Sequence, residues 1–426
     1  MGLFGALSIG QSGLTNNGAA LSVIGNNIAN VSTVGFKGSR TEFADLIAAE
    51  GGGEIGKIGI GARIRGVRTL FTQGAIEATG RGLDLAIQGE GFFVLGDGQG
   101  QLYTRAGNLQ LDANRNVIYL AGKPLLGTPL NVTGTPTGTL QAVTLANSAS
   151  LAQATTTGIL QGNLPADASV IATAFDTATP SFANAYAASN DPYSLRVYDS
   201  LGAAHDVSLF FKKTGANTWD VHMGVDAGET GGTAGQLQLI NGAGATVTFN
   251  PDGTFGSVAG SLTGNVTFSG ANAQAIALNL GTAGGSDGMT QVAAPFGIAS
   301  VRQDGFGAGS LASVNVDEQG ILTATYDNGQ SRALYQLALA HFAAPEGLEP
   351  IGNQLYRATV TSGDAAVGAP GSQGNGTIIA SALEQSNVSL AQEFINLIST
   401  QRAFQASTRI ITASDTLLGD LINIIR

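Results

Sequence analysis

The first 36 residues carry no charge, hold seven glycines and five asparagines, and still repeat apolar residues at helical spacing. Alternating steps of four and three from Leu3 reach Leu7, Gly10, Leu14, Asn17, Leu21, Ile24, Ile28 and Val31, and seven of these nine positions are apolar. That is the heptad of a helix with a partner. Gly5, Gly10, Gly13, Gly18 and Gly25 work against it. Each glycine costs a helix about 0.8–1 kcal/mol relative to alanine, on the order of 4–5 kcal/mol for the five. A helix of this kind is not stable alone in water. It needs close neighbours, and glycine is the residue that lets another backbone come near.

The other end of the chain repeats the theme. From Leu390 the same stepping gives Leu390, Phe394, Leu397, Gln401, Phe404, Thr408, Ile411, Asp415, Leu418, Ile422 and Ile425, eight of eleven apolar. Ser389 and Gln392 have the spacing of a capping box at its start. The closing stretch "TLLGDLINIIR" is apolar round most of a helix's circumference, which calls for a buried environment. Both ends ask for partners beyond what one chain is expected to supply.

Between the ends the pattern is β. Phe92–Leu95, Leu102–Thr104 and Asn116–Leu120 read as short strands. Asp97-Gly98, Asp252-Gly253 and Asn328-Gly329 are hairpin signals. Tyr193, Leu195 and Val197, then Val207, Leu209 and Phe211, alternate as strands half-buried on one face do. "GILTATYDNGQSRALYQLALAHF" reads as a long hairpin. Residues around 131–185 and 255–292 are poor in charge and rich in Thr, Ala, Gly and Ser, and are expected to be loop-rich flanks of an inserted domain. The expected organisation is a helical domain of residues 1–34 and 384–426 and a linker over 35–75. A discontinuous inner β domain takes 76–144 and 289–383, and an inserted outer β domain 145–288.

Composition narrows the function. Of 426 residues 43% are hydrophobic and only 12% charged, with 62 glycines and a net charge of −11. An acidic chain of this kind is not expected to bind nucleic acid or an anionic membrane. Lys57, Arg63, Arg65 and Arg68 are the nearest thing to a basic patch and read as a solvated linker. Without cysteine there is no disulfide, thiolate metal site or cysteine nucleophile. The N-terminus lacks a positive n-region, so no secretory signal peptide is expected, and its asparagines and glycines argue against membrane insertion.

Catalytic and ligand motifs fail on inspection. "GGGEIGKI" follows phosphate-loop spacing to Lys57, then has Ile58 where a magnesium-binding hydroxyl belongs. The run from Asp112 begins like a calcium loop but has Val117 and Lys123 at the glycine and glutamate places, and reads as a hairpin turn. His205, His222 and His341 stand singly on strand-like segments, with no acid at metal-ligand spacing. No acid–base or nucleophilic constellation emerges, so no enzyme activity, cofactor or metal is expected.

Four segments together resemble one family. "GLTNNGAALSVIGNNIANVSTVGFKGSR", "TQGAIEATGRGLDLAIQGEGFFVL", "YTRAGNLQLD" and "GTIIASALEQSNVSLAQEFINLISTQRAFQASTRIITASDTLLGDLINIIR" are similar, in order, to signatures of the flagellar rod and hook protein family. They cover both ends and the first β segment, roughly a third of the chain; the family's Gly-Asn is Gly80-Arg81 here. More than 140 residues between Leu140 and Thr290 form an insert, which resembles the hook members rather than the shorter distal-rod members.

The resemblance implies a mainly β fold with α-helical coiled-coil termini and nested β domains. It implies a structural subunit that polymerises with many copies of itself into a curved flexible tube, a universal joint passing motor torque from rod to filament. Implied partners are the rod protein, the hook cap, the hook–filament junction proteins and the type III export apparatus. The implied location is the flagellar hook at the extracellular surface, reached without a cleaved signal peptide. The assembly surface would comprise Leu7, Leu14, Leu21, Ile24, Asn26, Asn27, Ile28 and Asn30 at one end. At the other it would comprise Leu390, Phe394, Leu397, Phe404, Ile411, Leu418, Ile422 and Ile425. The asparagines, costly when buried unpaired, would satisfy one another between helices or face channel water. A secreted β-rich adhesin or carbohydrate-active enzyme shares the composition but leaves the terminal heptads unexplained.

Overall fold

A computed structural model describes residues 3–47, 59–98, 100–120, 122–131, 133–145 and 150–425. The chain is mainly β, with a long helix at each end. Helix α1 runs from Leu3 to Ala29, followed by strands β1 (Ser39–Ile47) and β2 (Gly59–Thr69). A short helix α2 (Phe182–Ala187) lies in the middle, and α3 (Leu390–Ile425) ends the fold. Two compact units result. One comprises Met1–Ser148, Ala312–Thr325 and Ser331–Arg426; the other comprises Ala149–Leu311 and Tyr326–Gln330.

In the first unit a six-stranded antiparallel sheet is built from Glu349–Gly352, Leu355–Arg357, Gln101–Thr104, Phe92–Gly96, Leu339–His341 and Ala366–Gly368, in that spatial order. Phe92, Val94, Tyr103, Ala340, Phe342 and Tyr356 meet in its core. Edge-to-face rings hold it, with Tyr103 and Phe342 centroids 4.8 Å apart and Phe71 and Phe92 5.4 Å apart.

The second unit packs around Trp219, Phe211, Phe249, Phe268 and Met223. Leu195 lies opposite Val207 and Tyr193 opposite Leu209, and their alternation is the one read from the sequence. The three hairpin dipeptides each sit at a hairpin: Gly96 pairs with Gln101, Phe249 with Phe255 and Thr325 with Ser331. The Asp112 run is also a hairpin turn, its carboxylate accepting from the Asn116 backbone and side chain at 2.8 Å each.

Two expectations differ from what folds. Residues 35–75, expected as a linker, carry the β1–β2 hairpin, paired from Ser39 with Thr69 to Ile47 with Gly59. The "GGGEIGKI" segment lies outside the described residues. The insert, expected to end at 288, continues. Met289–Val292 pairs parallel, and Gly297–Gln303 antiparallel, with Thr157–Pro165, which puts them in the second unit. A strand needs ladder partners for its N–H and C=O groups, and Thr157–Pro165 and Met289–Val292 lie in segments expected to be loop-rich, while Gly297–Gln303 was expected in the inner β domain.

Candidate assembly interface

Helices α1 and α3 run antiparallel against each other, and the glycines stand where they come closest. A Cβ at Gly10 would sit 2.9 Å from Ile411 Cγ1, one at Gly13 2.7 Å from Ser407 Oγ, and one at Gly18 3.9 Å from Phe404 Cε2. Side chains at Gly10 and Gly13 would push the pair apart. The helix propensity that these glycines sacrifice is offset by close packing, as the sequence requires. Gly25, by contrast, faces open space.

The expected interface residues divide into three groups. Ile24 and Asn27 are buried, while Leu7, Leu14, Leu21, Ile28, Asn30, Leu397, Phe404, Ile411 and Leu418 are half-buried. Asn26, Leu390 and Phe394 are exposed, Phe394 by 48% and Leu390 by 43%. The side chains of Ile422 and Ile425 lie outside the described residues. So one face of α3 meets α1 while the other, with Ile395, Ile398, Ile410 and Leu417, is left apolar and open.

The two buried asparagines, Asn16 and Asn27, pair with strand backbone of their own chain. Asn27, 3% exposed, treats the start of β1 as a strand treats its neighbour: Oδ1 accepts from Ser39 N at 2.9 Å and Nδ2 donates to Ser39 O at 2.8 Å. Nδ2 also lies 3.3 Å from Glu393 Oε1 in the first turn of α3. Asn16 donates to Ala62 O of β2 at 2.7 Å. Asn30, just past the end of α1, donates to Asn26 of that helix. The buried asparagines therefore bond to the β1–β2 backbone, not to one another between helices. The reason is supply: backbone groups facing the helix need partners, and a short amide offers one donor and one acceptor at once. The expected capping box is also absent among the described residues. Ser389 contributes its carbonyl, accepting from Glu393 N at 3.0 Å, and Gln392 bonds Asn396.

Beneath the helices lies a charged network that the sequence did not announce. Lys37 Nζ is 2.7 Å from Glu384 Oε1, with both side chains fully buried, and it also donates to Thr72 O at 2.8 Å. Gly74 N donates to the same carboxylate oxygen at 2.9 Å, and Arg105 Nη1 lies 3.5 Å from the other. Burial lowers the Lys37 and Arg105 pKa values from their ordinary range, and the charge of Glu384 opposes this in each. Asn387 adds a second tie, accepting from Gly38 N at 2.8 Å and donating to Leu70 O at 2.7 Å. Gly35 bends the chain into place with φ of +68°, where a side chain would strike Ala106. The only sequence signal was Lys37 itself, the first charge after 36 uncharged residues.

Elsewhere the polar groups form local structure. Arg68 of β2 pairs with Glu346 and lies 3.6 Å from Glu42. His205 sits between Glu229, 2.9 Å from Nδ1, and Asp199, 3.3 Å from Nε2, stacked on Phe268. His222 is buried against Phe175, and burial lowers its pKa. Among the described residues no group of three His, Asp or Glu is placed to hold a metal ion. None of the helices there is long and apolar enough to cross a membrane.

Comparison with known proteins gives this arrangement its class. Residues 7–37 match the flagella basal body rod protein model, and 86–161 match the flagellar hook protein FlgE/F/G D1 domain. Residues 163–306 match the flagellar basal body protein FlaE D2 domain, and 379–424 the flagellar basal body rod FlgEFG protein C-terminal model. The chain is 35% identical over 428 residues to flagellar hook protein FlgE of Escherichia coli K12, covering 98% of this chain and all of that one. It is 34% identical over 474 residues to FlgE of Treponema pallidum, covering 99% of each. A crystal structure of Helicobacter pylori flagellar hook protein FlgE2 overlaps 72% of this chain and all of that chain, with a TM-score of 0.49 and 14% identity. The matched models span the flagellar rod and hook proteins. Within that class the chain belongs to the flagellar hook protein family, which makes it a component of the flagellum.

Proposed function

We propose that this chain is the structural subunit of the flagellar hook. Many copies assemble through their terminal helices into a curved, flexible tube that passes motor torque from rod to filament. The observation that carries the reading is the α1–α3 pair with its outward face open: Leu390, Phe394, Ile395, Ile398, Ile410 and Leu417 are all exposed. An apolar face of this size marks an interaction site. Contacts between unlike surfaces of identical chains repeat without closing and generate helical arrays.

The glycine-rich α1 suits passage through a type III export apparatus as an unfolded chain, with order regained as each subunit docks. The rod protein, the hook cap and the hook–filament junction proteins would meet the two ends of the polymer, at the extracellular surface. Negative-stain electron microscopy of concentrated protein tests this. Tubes or curved hooks are the expected result; protein that stays monomeric at every concentration and salt condition sinks the reading.

A further inference from the structure

A groove of about 500 Å³ lies between α1, β1 and the first turns of α3. Ala20, Ile24, Phe43, Leu70 and Val388 give it apolar walls. Two residues lining it hold buried polar atoms that take no hydrogen bond among the described residues, Glu393 Oε2 and Thr41 Oγ1. The other oxygen of Glu393 is met by Asn27. A carboxylate in the first turn complements the helix dipole, which accounts for its sign but gives Oε2 no donor. A buried carboxylate oxygen without a donor is a costly thing to keep. The groove therefore calls for an occupant with a cationic donor beside an apolar side chain.

The chain itself carries such a surface. At 100° per residue, Ala391, Ile395, Ile398, Arg402, Ala406 and Arg409 share one stripe of α3, and every one is exposed. Ile395 is 61% and Ile398 50% exposed. Charge is scarce here: α1 has none, and Arg402 and Arg409 are the only cations of α3. Neither forms an ion pair among the described residues.

We infer that the groove seats the α3 stripe of a second copy, with the Arg402 guanidinium of that copy on Glu393 and Ile398, one turn before it, against the apolar wall. This rests on the self-assembly reading and names its contact. A guanidinium is the fitting cation, because its planar fork matches a carboxylate and its weak hydration lowers the cost of desolvation. Groove and stripe are different surfaces of one chain, so the contact propagates from copy to copy without closing.

The absence of cysteine makes the test clean. In the full chain carrying Glu393→Cys and Arg402→Cys, the two positions are nine residues apart on one helix, about 13.5 Å. An Arg–Glu ion pair holds its Cα atoms beyond the about 7 Å that a disulfide spans, so a short bis-maleimide is used, and only links between copies can build a ladder. Cross-linked polymers should run as a ladder on denaturing gels, with each single-cysteine chain giving none. Separately, Arg402→Glu should raise the concentration needed for polymerisation at least about tenfold, and adding Glu393→Arg should restore it. Normal polymers without a ladder, or Arg402→Glu polymerising like the unaltered chain, overturn this contact alone. If the unaltered chain forms no polymer, the self-assembly reading falls with it.

Discussion

Replacing Glu384 by glutamine keeps the shape of the side chain and removes one negative charge from a place closed to water. Two buried cations depend on that charge: Lys37 Nζ at 2.7 Å and Arg105 Nη1 at 3.5 Å, with the Lys37 and Glu384 side chains fully buried and that of Arg105 only 3% exposed. Burial already disfavours both cations, and Glu384 is the leading opposing influence on each. Breaking a buried pair by removing one partner costs about 3–5 kcal/mol. A carboxylate that serves two cations belongs near the upper end, about 5 kcal/mol. Adding Lys37→Met removes one stranded cation, so the double variant should lose less than the sum of the singles, by roughly 1–3 kcal/mol. Denaturant unfolding followed by circular dichroism reads the loss. The lone tryptophan, Trp219, is buried in the second unit, so its fluorescence transition serves as an internal control and should not move. The loss should also be insensitive to salt, because a buried pair is little screened. A Glu384→Gln loss below about 1 kcal/mol, typical of an exposed pair, would refute the reasoning.

Asn27→Ala strands Ser39 N and O, and should cost about 1–3 kcal/mol with faster amide exchange at Ser39; unchanged exchange there would remove Asn27 from its role as clamp. Gly13→Leu drives a side chain into Ser407 and should cost about 1–3 kcal/mol in helix pairing, abolishing polymers while the Trp219 transition stays put; normal polymers would contradict the close approach. Burial raises the Tyr356 pKa to about 12. A folded-state pKa above the unfolded one gives stability that is complete below pH 10 and lost as pH rises through about 12. The first unit should therefore weaken by roughly 1.4 kcal/mol per pH unit from this group across that window. The lowered Lys37 value works in the opposite direction, but only up to the ordinary lysine value of 10.5. Tyr356→Phe should flatten the alkaline decline, and an unchanged slope would count against this assignment.

What could be read from the sequence was what is local. Heptads at both ends and turn dipeptides at Asp97, Asp252 and Asn328 depend on near neighbours, and the elements stand where the patterns put them. The β1–β2 hairpin was hidden because Glu42 and Asp45 interrupt β1, and β2 mixes arginines with glycines, which weakens the strand signal. Its hold on α1 comes from Asn27 bonding Ser39 and from Asn16 bonding Ala62, 46 residues away. The Lys37–Glu384 pair spans 347 residues, and nothing near either residue names the other. The asparagines drew notice as a group, yet their partners are strand backbone, which carries no mark in a sequence. Of the candidate interface, the pairing of the two terminal helices was partly legible in the heptads; the groove holding Glu393 Oε2, made by α1 and β1 near one end of the chain and α3 at the other, was not.

The central claim is that assembly buries the open face of the terminal helices. Amide hydrogen exchange, measured peptide by peptide on monomer and on polymer of the same preparation, tests it most directly. Peptides from α1 and α3 should exchange quickly in the monomer and become strongly protected in the polymer, with the largest gain over Ile395–Arg409. The core strands around Trp219 and Phe92 should exchange alike in both. Equal protection of the helices in the two states, with the gain confined to the β units, would place the polymer contact elsewhere and contradict the account.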